Sequence, residues 1–157
     1  MVIGNPPYVN VKNGINANDK SYYLKTYKSA VGQFDLFSLF IEKGLSLGKT
    51  LVFIVPKPLI NNENYEIIRK IIFNSGLKNV IIGSGIIETA GVESCIFMTS
   101  TCCEKKFLVS DFVDRKVLFK HKADLEFSLN SPFSMFCTEV SDEKLSLFQV
   151  LLDLLWK

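Results

Sequence analysis

Short β-branched runs alternate with stretches of helical period along the first hundred residues, and that alternation predicts an α/β sheet. Met1 to Gly4 has the character of the last residues of a strand. Phe34, Phe37, Phe40, Ile41, Gly44 and Leu45 recur at helical spacing, and Leu36 and Leu39 widen the stripe, so a largely buried helix is expected over 34–47, stopped by Gly48. Thr50 to Val55 is an unbroken apolar run of the kind found in a central parallel strand covered on both faces, ended by Pro56 and Pro58. Asn61 or Asn62 then caps a helix with Glu63 and Glu66 in its first turn, a buried stripe of Tyr65, Ile68, Ile71 and Ile72, and Gly76 at its end. Asn79 to Ile82 and Glu93 to Ser100 predict two further strands. The connection between them shows no helical pattern, which makes them antiparallel neighbours. Phe107 to Val113 predicts another strand, and Ser141, Asp142 and Glu143 open a final helix to Trp156. Between these lie two segments without clear period. Residues 9–32 form a polar stretch expected to be a long loop with one helical turn at Tyr22 to Tyr27, and 114–140 are expected to be an irregular linker. A long loop in a compact domain tends to be functional.

Length and composition narrow this picture only a little. With 157 residues the chain has room for one domain, or for a piece of a larger one, and 48% hydrophobic with 22% charged residues excludes disorder and collagen-like repeats. The longest apolar runs, Leu51 to Val55 and Leu151 to Trp156, fall far short of the roughly 20 residues of a membrane span. Asn5, Pro6 and Pro7 interrupt the N-terminus before a signal-peptide core can form, so a cytoplasmic location is expected. A net charge of +2, with two arginines (Arg69 and Arg115) among 18 basic residues, does not announce a nucleic-acid binder. Lys12, Lys20, Lys25 and Lys28 cluster locally, and they suit either phosphate contacts or a solvated face. Cys95, Cys102, Cys103 and Cys137 show no paired ligand spacing, and His121 stands alone, so reduced thiols rather than a metal site are expected. The single histidine also argues against a hydrolase triad.

The informative tetrapeptide is Asn5-Pro6-Pro7-Tyr8, placed where a strand ends. In open α/β sheets ligands bind at the carboxyl ends of strands. An exocyclic aromatic amine is a poor nucleophile because its lone pair is delocalised into the ring. Two acceptors, the Asn5 side-chain oxygen and the Pro6 carbonyl, are able to take both N–H protons and draw the nitrogen toward tetrahedral geometry. Neither proline carries an N–H, and both fix φ near −65°, so the carbonyl is rigidly aimed. Tyr8 adds an aromatic face for an extruded base, worth about 1–3 kcal/mol. The same tetrapeptide also occurs in ordinary turns.

With those residues the chain resembles the N6-adenine-specific DNA methyltransferases, most closely the N-P-P-Y class of type IIG and type I restriction-modification systems. The resemblance continues through Tyr27-Lys28-Ser29-Ala30, Phe34-Asp35-Leu36-Phe37, Leu39-Phe40-Ile41-Glu42, Leu51 to Pro56, and Ile86 to Ser100 with Gly91-Val92-Glu93-Ser94-Cys95-Ile96. About 100 residues are covered in order. The resemblance implies a partial Rossmann-like methyltransferase sheet, with central parallel strands, a terminal antiparallel hairpin, flanking helices and a C-terminal helix. It implies S-adenosylmethionine as methyl donor and DNA as partner, with Asn5, Pro6 and Pro7 shaping the catalytic turn and Tyr8 stacking on a flipped adenine. Phe97 or Met98 would face the base from the other side, Lys12 and Lys28 would touch the substrate, and Asn5 would border the cofactor.

The family's glycine-rich cofactor loop lies upstream of its motif, and only four residues precede Asn5. Gly83-Ser84-Gly85 does not replace it, because Glu88 holds the third fingerprint position and no helix pattern follows. Residues 1–104 are therefore expected to be the C-terminal half of a catalytic domain with an incomplete cofactor site, inactive alone, and 105–157 a linker and helix leading to a target-recognition domain. An exposed stripe of Leu145, Phe148, Leu152 and Leu155 would favour self-association. Two other readings remain open, an N-methyltransferase acting on RNA or protein amides and a non-catalytic module derived from such an enzyme.

Overall fold

The computed structural model describes residues 1–86, 93–101, 104–141 and 143–147. Six strands form one sheet: β1 (Val2–Gly4), β2 (Thr50–Pro56), β3 (Leu77–Ile82), β4 (Ser94–Ser100), β5 (Lys106–Val113) and β6 (Lys116–Asp124). Their spatial order is β1-β2-β4-β3-β5-β6. β1 runs parallel to β2 and β3 parallel to β5, whereas β4 is antiparallel to both β2 and β3. β5 and β6 form an antiparallel hairpin. Five helices join them: α1 (Val11–Gly14), α2 (Ala17–Thr26), α3 (Leu36–Leu47), α4 (Glu66–Asn74) and α5 (Leu125–Asn130). The expected mixed sheet is present, and β3 and β4 are the antiparallel neighbours that their short connection predicted.

The core lies on one face. Leu51, Phe53 and Val55 of β2 point to the same side as Cys95 and Phe97 of β4, Val80 of β3, and Phe107 and Val109 of β5. Phe37 and Ile41 of α3 and Ile68, Ile72 and Phe73 of α4 cover them. On the other face Val52, Ile54, Ile81, Ile96 and Met98 are only half-buried and Ile3 is exposed. The expectation that β2 is parallel and covered on both faces is thus corrected. It is parallel on one side only, because β4 inserts beside it, and its burial alternates.

Three further expectations change. Residues 9–32 are not a loop with one turn but two helices, and caps rather than apolar period define them. Asn10 Oδ1 accepts the Lys12 N–H (2.9 Å), and Asn16 Oδ1 accepts the Asp19 N–H (2.8 Å). Val11, Ala30, Phe34 and Leu39 form a small second core beneath them, with Tyr23 and Tyr27 against it. Residues 114–140 are not an irregular linker. Asp114 and Arg115 both adopt positive φ (49° and 60°) at the β5–β6 turn, the backbone of a two-residue hairpin without the glycine that normally advertises it. Asp124 then caps α5 through the Phe127 N–H (2.7 Å).

The third change is Arg69, which falls inside the stripe expected to be aliphatic and is 0% exposed. Its guanidinium donates to the carbonyls of Leu59 (2.9 Å), Asn62 (2.7 Å), Phe133 (2.7 Å) and Ser134 (3.0 Å). It therefore ties the turn after α5 to the segment before α4. Residues 143–147 are helical, as expected. Phe148, Leu152, Leu155 and the other residues from 148 onward lie outside the described residues, as do Cys102, Cys103, Glu88, Gly91 and Val92. No helix among the described residues is long and apolar enough to cross a membrane.

Candidate active site at the open end of the sheet

Among the described residues β1 pairs with β2, and Asn5 follows one residue beyond the Gly4–Phe53 pair. A Cβ at Gly4 would meet the Phe53 ring at 3.0 Å, which is why the motif follows a glycine. Burial along the tetrapeptide divides the work: Pro6 is buried and anchors the turn, Asn5 and Pro7 are exposed, and Tyr8 is half-buried. Asn5 thus presents its carboxamide to solvent from a rigid base.

The Tyr8 ring stands edge-on to Phe37, with centroids 6.4 Å apart. Its hydroxyl lies beside Ser94 and Cys95 at the start of β4. Burial raises its pKa, contact with Ser94 works against that rise, and Cys95 adds to it. The same burial pushes the Cys95 thiol up to about 12, so it stays protonated and unreactive at neutral pH.

The motif is fastened to the start of α3. The Leu36 N–H donates to Val9 O (2.9 Å) and the Val11 N–H to Phe34 O (3.2 Å), on either side of an antiparallel bridge between Asn10 and Asp35. Tyr65 donates its hydroxyl to Asp35 Oδ2, and its ring lies 5.1 Å from Phe37. At the same end, Lys57 is paired with Glu93 twice, by its backbone N–H to Glu93 O (2.8 Å) and by a 2.7 Å ion pair. These two residues line a cleft of about 680 Å3 with Pro58, Ile60, Ile82 and Thr138. A second cleft, lined by Gly48, Lys49, Ser75 and Gly76, lies at the opposite end of the strands and away from the motif.

The structure does not bring every expected residue to this end. Phe97 is 0% exposed, level with Phe53 and one row below Asn5, with its ring 6.5 Å from that of Phe53. Met98 points to the opposite face, level with Val52. The β4 residues that meet Tyr8 are Ser94 and Cys95 instead. Lys12 and Lys28 are exposed, with Lys20 and Lys25. The backbone at Lys28 is held by α3: Glu42 accepts the N–H groups of Lys28 (3.0 Å) and Ser29 (2.8 Å) and the Ser29 hydroxyl (2.7 Å). Sequence reasoning missed Asp35, Tyr65 and Ser94 as neighbours of the motif. An aspartate just before a helix signals an N-cap, and nothing local reveals that its carboxylate bonds 30 residues away.

Asn5, the residue expected to border S-adenosylmethionine, lies exposed just beyond the carboxyl end of β1. A Cβ at Gly83 would collide with the Phe112 carbonyl oxygen, so this glycine serves the close approach of the β3 turn to β5 rather than a ligand cradle. Among the described residues no glycine-rich turn joins a strand to a helix at the open end. What the turn does supply is an exposed Asn5 and a buried Pro6 just before the half-buried ring of Tyr8.

Comparison with known proteins shows the family. Residues 1–84, more than half of the chain, match the family model described as Eco57I restriction-modification methylase. The type II restriction enzyme and methyltransferase RM.Eco57I of Escherichia coli is 30% identical over 90 residues, 54% of this chain and 9% of the relative. The type II methyltransferase M.TthHB8I of Thermus thermophilus is 30% identical over 89 residues, 51% of this chain and 21% of the relative. This chain therefore spans about a tenth and about a fifth of the two relatives. The crystal structure of the type IIG restriction endonuclease BpuSI shares the fold, with a TM-score of 0.64 and 16% identity, over 95% of this chain and 22% of that one.

Proposed function

The chain belongs to the Eco57I restriction-modification methylase family, and from that premise we propose that it forms the target-base pocket of an enzyme methylating the exocyclic amine of adenine in DNA. One observation carries the reading: an exposed Asn5, a buried Pro6 and a half-buried Tyr8 follow one another directly after the carboxyl end of β1.

In this reading the adenine leaves the duplex and lies on Tyr8. Asn5 Oδ1 and the Pro6 carbonyl oxygen each accept one N–H of its amino group, localising the lone pair on nitrogen. S-adenosylmethionine would supply the methyl group, its sulfur–methyl bond breaking as the nitrogen–carbon bond forms, so that S-adenosylhomocysteine leaves and the nitrogen loses one proton to solvent. Phe37 behind Tyr8 holds the stacking face in place. Lys12 and Lys28 stand exposed to receive phosphates, where each contact would add to a salt-dependent affinity.

The deciding experiment is Asn5→Ala in the full-length protein. The acceptor bond strengthens as the amine develops positive charge, so kcat is expected to fall by at least about a hundredfold while DNA affinity changes little. Full turnover by Asn5→Ala would sink the assignment.

A further inference from the structure

The Asn5–Tyr8 turn has no regular secondary structure of its own, and its C-terminal end, from Tyr8 to Asn10, is linked to one pair of side chains. Asp35 occupies the N-cap of α3 with extended backbone, yet its side chain makes no capping bond to that helix. An aspartate there ordinarily turns back to the helix amides. Here the carboxylate takes the Tyr65 hydroxyl instead, from the turn before α4. The backbone of Asp35 bridges Asn10, just past the motif. The Tyr65 ring packs on Phe37, and Phe37 stands against Tyr8, within the motif. The contacts close a ring running from Tyr8 through Phe37, Tyr65 and Asp35 to Asn10, and back along the chain to Tyr8.

We propose that Tyr65 and Asp35 are a positioning pair, which sets the height of the Tyr8 ring by holding the motif at Tyr8 and at Asn10 just beyond it. This inference rests on the methylation reading above and deepens it. Neither residue is placed to touch the base. Their effect passes through Phe37 to Tyr8 and through Asn10 to the turn. A closed ring of this kind matters because a shift of about 1 Å at reacting groups is able to cost on the order of a hundredfold in rate.

The test uses the full-length protein with S-adenosylmethionine and unmethylated DNA, and compares Tyr65→Phe, Asp35→Ala, Asp35→Asn and Tyr65→Phe/Asp35→Ala. Tyr65→Phe keeps the ring contacts and removes the hydroxyl. The expected result is a kcat lowered by about tenfold or more, with the KM for DNA within about twofold of wild type, and a double variant no worse than either single one. Asp35→Asn retains an oxygen that accepts from Tyr65 and should recover most of the rate lost in Asp35→Ala. A second readout is independent of turnover. Duplex carrying 2-aminopurine at the methylated position should still brighten on binding Tyr65→Phe, but with weaker quenching by the displaced Tyr8 ring.

Unchanged kcat in Tyr65→Phe would overturn the proposal, as would additive losses in the double variant or equal losses in Asp35→Asn and Asp35→Ala. Loss that tracks a fall in folded fraction by circular dichroism would overturn it too, since the pair would then serve stability alone. Asn5→Ala run in parallel separates the two levels. If it is inactive while Tyr65→Phe is normal, only the positioning role fails. If it is fully active, the methylation reading itself fails.

Discussion

Replacing Arg69 with methionine tests how the C-terminal third of the described chain is held. Met matches the stem of arginine but leaves the carbonyls of Leu59, Asn62, Phe133 and Ser134 without their donor. Each buried acceptor left unsatisfied costs about 1–3 kcal/mol, so four give a gross loss of roughly 4–12 kcal/mol. The variant also removes a buried charge, whose desolvation costs several kcal/mol in the wild type. Burial lowers the Arg69 pKa to about 10, which still leaves it charged at neutral pH. The two terms oppose each other, and the lost bonds are expected to outweigh the desolvation by about 3 kcal/mol. Phe133 and Ser134 sit at positive φ (55° and 50°), a strained backbone that the guanidinium helps to hold. With a urea m-value of about 1–3 kcal/mol/M, the midpoint should fall by at least about 1 M. Arg69→Lys should recover only part of this, because a single ammonium does not span two carbonyl pairs that a planar fork reaches together. Equilibrium urea unfolding followed by circular dichroism measures both. A midpoint for Arg69→Met within about 0.3 M of wild type would show that the four bonds do not hold this segment.

Two further outcomes follow from the site. Tyr8→Phe should keep turnover within a few-fold, since the ring does the stacking. Tyr8→Ala should weaken binding to DNA with a mismatched adenine by about 1–3 kcal/mol, measured by fluorescence anisotropy, and equal affinities would leave the ring a packing role only. Cys95, with its pKa raised from 9.0 to about 12, should resist iodoacetamide at pH 8.5 until the protein is unfolded, as read by peptide mapping. Its folded pKa lies above the unfolded one, so its contribution to stability is complete below about pH 9 and is lost as pH rises toward 12. Cys95→Ala should therefore flatten the alkaline limb of a stability–pH profile, and an unaltered limb would remove Cys95 as its cause.

The sequence by itself determined the elements whose signal is local. β2 and α3 were legible because apolar runs and a 3.6-residue period are set by which side must be buried, and both elements bury strongly. The Asn5–Tyr8 turn was legible for a related reason, since prolines restrict the backbone wherever they stand. The hairpin at Asp114–Arg115 was not, because its positive φ values are imposed by pairing between β5 and β6 rather than by a glycine. The helices over residues 11–26 were obscured because asparagine caps begin them and they bury little of their own surface. Only the tertiary structure decided that β4 runs between β2 and β3, which sinks Phe97 into the core and brings Ser94 to Tyr8. Only it turned Arg69 inward onto four carbonyls, and Asp35 toward Tyr65 rather than its own helix. Bonds between residues 30 or 65 positions apart leave no trace in neighbouring sequence. They form because a buried polar group must find its partners among whatever the packed core brings within reach.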